Sequence, residues 1–162
     1  MLSKRMLLTV ALGTVLFAPA GVRGEDHKAL VRRWTEEVVN KGNLAAVDEL
    51  FAPTYVWHIA GMPDIKGPDG VRQFVTTVRT AFPDFHATLE DMVVEGDKVA
   101  VRYTNRGTQK GEFRGVAPSG KEMTWSLLIL THLAGGKFQE SWQISDLYRQ
   151  LSMGSPPGQS KP

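Results

Sequence analysis

A chain of 162 residues with 42% hydrophobic and 22% charged side chains has the size and composition of one water-soluble domain with a full core. It has no cysteine, which excludes disulfides and thiolate chemistry, and its four scattered histidines give no ligand spacing for a dedicated metal centre. Of 19 basic and 17 acidic residues, Lys4, Arg5 and Arg23 lie in the first 24 positions, so without that segment the balance is 16 to 17, a net charge of −1 in place of +2. A nucleic-acid partner has no electrostatic footprint in such a chain.

The N-terminus carries Ser3-Lys4-Arg5, an apolar run from Met6 to Ala18, and small residues at Ala18, Ala20 and Gly24. That order reads as a secretory signal peptide over residues 1–24. The run falls short of the roughly 20 apolar residues that a membrane span requires, so the expectation is a secreted or periplasmic protein with no membrane attachment after cleavage. The folded domain then covers 25–151, and a Pro-, Gly- and Ser-rich tail over 152–162 is expected to be disordered.

Leu30, Val31, Trp34 and Val38 recur at three- and four-residue spacing, which predicts an amphipathic helix from His27 to Asn40, stopped by Asn40-Lys41-Gly42-Asn43. A short helix over Leu44 to Phe51 follows, closed by Pro53, and then a strand from Thr54 to Ile59. Pro68 and Asp69 open a third helix whose inward face is Val71, Phe74, Val75 and Val78, and Ala81-Phe82-Pro83-Asp84 ends it. Strands over Phe85 to Glu95 and Lys98 to Gly107 meet at Gly96-Asp97. In the first of them the apolar parity changes between Leu89 and Met92, which predicts a β-bulge near Glu90-Asp91.

The last hairpin joins Met123–Leu133 to Phe138–Ile144 through Ala134-Gly135-Gly136-Lys137. Met123, Trp125, Leu127 and Ile129 share one face of its first strand, with Thr124, Ser126, Leu128 and Leu130 on the other, so both faces are apolar enough to be covered. Asp146 to Ser152 reads as a final helical turn with Asp146 as its cap. Helices early and an antiparallel meander late give an α+β domain, one curved sheet covered by helices on a single face. Such a layer leaves a blind, mostly apolar pocket, a common seat for a small molecule.

Asn40-Lys41-Gly42-Asn43, Gly67-Pro68-Asp69-Gly70-Val71, Phe82-Pro83-Asp84, Glu95-Gly96-Asp97-Lys98-Val99, Gly111-Glu112-Phe113 through Pro118-Ser119-Gly120-Lys121, and Glu140-Ser141-Trp142 followed by Asp146-Leu147 together resemble the SnoaL-like polyketide cyclases. That family, also labelled ester cyclase, belongs to the nuclear transport factor 2-like superfamily, and the resemblance covers about residues 27–151. It implies a cone-shaped antiparallel sheet wrapped around N-terminal helices, a deep hydrophobic pocket, homodimers through the outer sheet surface, and catalysis without metal or cofactor. In the founding cyclases an aspartate on the last strand, directly after a histidine-tryptophan pair, acts as acid and base in an aldol closure. The matching position here, after Trp142, is Gln143, whose amide exchanges no proton near neutral pH.

The candidate site residues follow. His58 is a proton shuttle or a hydrogen-bond donor to an enolate, against the plainer reading of a half-exposed histidine bonded to backbone. Asp146 is a rival base or a helix cap, and Gln143 an orienting amide. Trp34, Trp57, Trp125, Trp142 and Tyr148 are candidate walls for a flat ligand or ordinary core aromatics. Arg102 with Glu140 is a polar rim pair or a solvated surface pair. The expected function is binding of a small hydrophobic carbonyl compound with cyclisation or isomerisation of it; the alternative is a non-catalytic binding module with the same pocket.

Overall fold

The computed structural model describes residues 20–153; positions 1–19 of the signal peptide expected over 1–24, and positions 154–162 of the tail expected over 152–162, lie outside the described residues. The first helix, α1, spans Ala20–Arg33 and runs on without a break into a wider π-helical segment, Trp34–Asn40. It buries Val31, Thr35 and Val38 against the sheet, as the spacing of its apolar residues predicts. Gly42, at φ +73°, turns the chain out of the helix, and its amide donates to the Val38 carbonyl at 3.0 Å. Two further carbonyls at this end, of Val39 and Asn40, each accept from the Arg79 guanidinium at 3.0 Å.

The second helix is shorter than expected. A 3₁₀ turn at Leu44–Ala46 leads into α2, Val47–Leu50, and the chain is already extended at Phe51, where β1 (Phe51–Ile59) begins. Pro53 therefore sits inside a strand. It does so where the β1–β6 register shifts between Phe51 and Val56, a place where a missing N–H breaks no regular ladder. A two-residue strand β2 (Ile65–Lys66) pairs with β1, and α3 (Gly67–Ala81) buries Val71, Val75, Val78 and Ala81.

The meander consists of β3 (His86–Glu95), β4 (Lys98–Thr108), β5 (Glu122–Ala134) and β6 (Lys137–Ser145), followed by α4 (Leu147–Met153). The six strands form one unclosed sheet in the order β2-β1-β6-β5-β4-β3, antiparallel throughout except where β1 lies parallel to β6. The register shift between Leu89 and Asp91 is the bulge that the parity change predicts, and it helps bend the sheet over the helices.

Alternation fixes what each face carries. On β4, Val99, Val101, Tyr103, Asn105 and Gly107 point to the concave, helix-covered face and are buried. A second cluster closes one end of the concave layer: Val78, Ala81, Phe82, Phe113, Met123 and Trp125. Phe113 arrives on the loop between β4 and β5, which Gln109 holds from inside by donating to the carbonyls of Val116 and Ala117 and accepting from the Ser119 amide. Gly111 lies so close to the end of α3 that a Cβ there would stand 2.8 Å from the Thr80 carbonyl oxygen, a contact no side chain makes without moving backbone.

On the convex face Leu128, Leu130, Trp142 and Ile144 stay exposed, between 41% and 59%, on neighbouring strands. Both faces are thus apolar, as the sequence reads, and the concave one is the face covered by helices.

Candidate functional site

Between the concave face, α3 and the π-helical segment lies a hollow of about 100 Å³. Its walls are aromatic. Trp34 and Trp57 meet edge to face with centroids 6.3 Å apart, Trp57 and Phe74 do so at 5.0 Å, and Phe85 leans on Trp125 at 5.6 Å. Such a volume is close to the ~150 Å³ of a cavity that takes a benzene ring and below the ~300 Å³ of a drug-sized pocket. A small, flat molecule is the size of guest it suits.

The polar groups on this lining divide by whether their hydrogen bonds are already used. Tyr103 and Arg79 are committed. Thr35 Oγ1 donates to the Val31 carbonyl at 2.9 Å, so at the 2.8 Å contact between Tyr103 and Thr35 it is the phenol that donates. Burial pushes the Tyr103 phenol up to about 12, partly offset by Thr35, so it keeps that proton at neutral pH. Arg79 is spent on the helix carbonyls already named.

Three groups are not spent. Trp57 Nε1 and Asn105 Oδ1 are buried without any hydrogen-bond partner, and the Gln143 side chain, 8% exposed, forms no hydrogen bond either. An unsatisfied buried polar group costs roughly 1–3 kcal/mol. Two such groups, with the accessible Gln143 amide beside them, therefore mark the hollow as a place with polar capacity to spare.

The structure brings Trp34, Trp57, Trp125 and Gln143 to this hollow. Four others, His58, Arg102, Trp142 and Asp146, do not line it. Because Trp57 and Gln143 point inward, their neighbours His58 and Trp142 point outward, where their rings stack at 5.6 Å. His58 Nδ1 lies 2.9 Å from Asp64 and Nε2 2.9 Å from Glu140. The carboxylate of Glu140, and then that of Asp64, raises its pKa; an imidazole between two acceptors is best served when both nitrogens carry protons. Arg102 is on the outward parity of β4 and pairs with Asp91. Its expected partner Glu140 is the one bonded to His58.

Asp146 is spent as well. Its Oδ1 accepts from the Ser126 amide at 2.9 Å and its Oδ2 from Gln150 Nε2 at 2.8 Å, tying α4 to β5. Its carbonyl accepts from the Gln150 amide, so it stands at the cap position, yet its carboxylate serves the sheet and a side chain. Tyr148 lies on α4, and its side chain is outside the described part of the structure.

Asn105 escapes the candidate list above, although the sequence carries the signal for it. It shares the parity of Val99, Val101 and Tyr103, so an amide there must point where apolar residues point. Among the described residues, no group of three or more histidines and carboxylates is placed to hold a metal ion.

A curved, unclosed sheet closing over N-terminal helices is a nuclear transport factor 2-like fold, and similar solved structures include a protein described by that name. Within that class the chain belongs to the SnoaL-like polyketide cyclase family, whose family model matches residues 29–152. A protein from Jannaschia sp. CCS1 described as a SnoaL-like polyketide cyclase is 25% identical, with a TM-score of 0.76, over 88% of this chain and 98% of that one. IdmH from Streptomyces antibioticus, described as a polyketide cyclase, is 31% identical with a TM-score of 0.66 over 77% and 95%. AclR from Streptomyces galilaeus, described as a hydroxylase, is 26% identical with a TM-score of 0.69 over 80% and 98%. No curated protein matches the chain.

Proposed function

We propose that this chain is an exported SnoaL-like protein that binds a small hydrophobic carbonyl compound in the concave hollow. The observation that carries the reading is the Trp57 indole N–H and the Gln143 carboxamide, both without a protein partner, on the wall of an aromatic cavity. Two uncharged donors suit a carbonyl oxygen, and apolar walls suit the rest of such a molecule.

Binding is favoured over proton-transfer catalysis by what the lining offers. Its titratable side chains among the described residues are Arg79 and Tyr103, both engaged, while His58 and Asp146 face away. Gln143 occupies the inward position that the resemblance assigns to the cyclases' aspartate. Family membership favours the second reading, cyclisation or isomerisation without a cofactor; with these residues it would rest on Gln143 and Trp57 polarising a carbonyl, not on a side chain that shuttles a proton.

Export rests on Lys4-Arg5 and the apolar run from Met6 to Ala18; no helix among the described residues is long and apolar enough to cross a membrane. A second copy covering Leu128, Leu130, Trp142 and Ile144 completes the reading, and sedimentation checks it: a dimer is expected, and a monomer at tens of micromolar contradicts it.

Acetophenone tests the binding site itself. Calorimetric titration of the purified protein is expected to show saturable binding, weakened about tenfold in Gln143→Leu, the loss of roughly one hydrogen bond. Absence of heat with the wild type, or equal affinity in both proteins, would overturn the reading.

A further inference from the structure

Strand register sorts the convex face into rows. His58 on β1 lies beside Trp142 on β6, Trp142 opposite Leu130 on β5, Leu130 opposite Ala100 on β4 and Ala100 opposite Val93 on β3, so one row crosses five strands. Leu128 and Ile144 pair in the next row, and together the two rows leave an exposed apolar stripe. The charges around it come in opposite pairs. Lys98 lies opposite Glu95, Arg102 is bonded to Asp91, and His58 sits between Asp64 and Glu140. A face balanced in this way offers little to a strongly acidic or basic partner and does not repel its own copy, the occupant that an apolar stripe with a mixed rim suits.

At His58 that balance depends on a proton. Its ring lies on Trp142 at the β1 end of the stripe, with centroids 5.6 Å apart and planes 24° from parallel. Asp64, on the turn leading into β2, stands 2.9 Å from Nδ1, and Glu140 of β6 stands 2.9 Å from Nε2. Only the imidazolium donates to both; the neutral ring turns a lone pair toward one carboxylate at hydrogen-bond distance. Two other groups of this face stand near the cluster. Lys66 is on β2 with Val56 between it and Glu140, and His132, opposite Glu140 on β5, is bonded to Asp97. Loss of the His58 proton therefore turns one cation between two anions into two uncompensated anions beside the stripe.

We propose that the convex stripe is a self-association surface gated by His58: copies of this chain pair through it while the imidazole is protonated and separate when it is neutral. This deepens the reading of a second copy over the convex face and rests on it. In a two-fold pair the same cluster comes from both copies, so the lost protons leave unpaired carboxylates on both sides of one interface. Glu140, and then Asp64, holds the His58 pKa above the ordinary imidazole value. Association is therefore full below that ordinary value and is lost as the pH rises through the raised one.

Sedimentation velocity of the purified protein over a concentration series, at about pH 6 and about pH 9, tests the gate. The wild type is expected to dimerise roughly tenfold more tightly at the lower pH, and His58→Gln to have the same affinity at both within about twofold. Glu140→Gln, whose amide can donate to a neutral Nε2, is expected to flatten the dependence as well, and it decides the matter if circular dichroism shows that His58→Gln does not fold. His132→Gln is expected to keep the dependence. Equal wild-type affinity at both pH values, a dependence that survives in His58→Gln or Glu140→Gln, or one lost in His132→Gln overturns the gate and leaves the second-copy reading standing. A wild type that is monomeric at both pH values, or a dimer that persists in Leu130→Glu, overturns that reading and the gate together.

Discussion

Phe82→Ala is expected to lower stability by about 3–5 kcal/mol, the loss seen when a buried aromatic is cut to alanine and its space does not refill. Phe82 has no exposed surface, and it joins three elements at the closed end of the hollow. Its ring leans on Trp125 with centroids 5.2 Å apart and meets Phe113 edge to face at 5.8 Å. Its own Cβ presses on β4, where Gly107 leaves room: a Cβ at that glycine would lie 3.0 Å from it. The neighbours have little freedom to collapse inward, because Phe113 sits on a loop pinned by Gln109 and Trp125 lies in mid-strand. Urea unfolding measures the difference; a loss under about 1 kcal/mol would mean that this end of the layer is not the packed stop described above.

Asn105→Leu is expected to have the opposite sign in the protein without ligand, raising stability by about 1–3 kcal/mol. The leucine keeps similar bulk, lies between Ala87 and Trp125 in the sheet, and removes a buried acceptor with no partner. Thermal melts of the two proteins report it, and a lower melting temperature for the leucine variant would show that Asn105 holds the fold together in some way its contacts do not reveal.

Local chemistry made much of the fold legible before any coordinates. The parity change at Glu90-Asp91 is a bulge, Gly96-Asp97 is a hairpin turn, and the glycines after Ala134 turn at φ +58° and +71°. The misreadings are all tertiary. Nothing near Phe51 shows that β6 will pair with it from far along the chain, so local pattern extends the helix before it too far and makes Pro53 a stop in place of a strand residue.

The site was half legible for a related reason. Alternation says that if Trp57 is inside then His58 is outside, and that Arg102 opposes Val101 and Tyr103 in facing; chemical type drew attention to His58, Arg102 and Asp146 instead. Trp142 against Gln143 is harder, because both faces of β6 carry large or polar residues and the strand alone does not say which is covered. Only the helices, by lying on one side, decide it.

The position of the ligand relative to the sheet is the central question, and the four indole N–H signals in a ¹H–¹⁵N correlation spectrum address it directly, because Trp34, Trp57 and Trp125 line the hollow while Trp142 stands on the opposite face. Adding acetophenone is expected to move the Trp57 signal most and to leave that of Trp142 in place. Movement of Trp142 with Trp57 unchanged would put the guest on the convex surface and contradict the site described here.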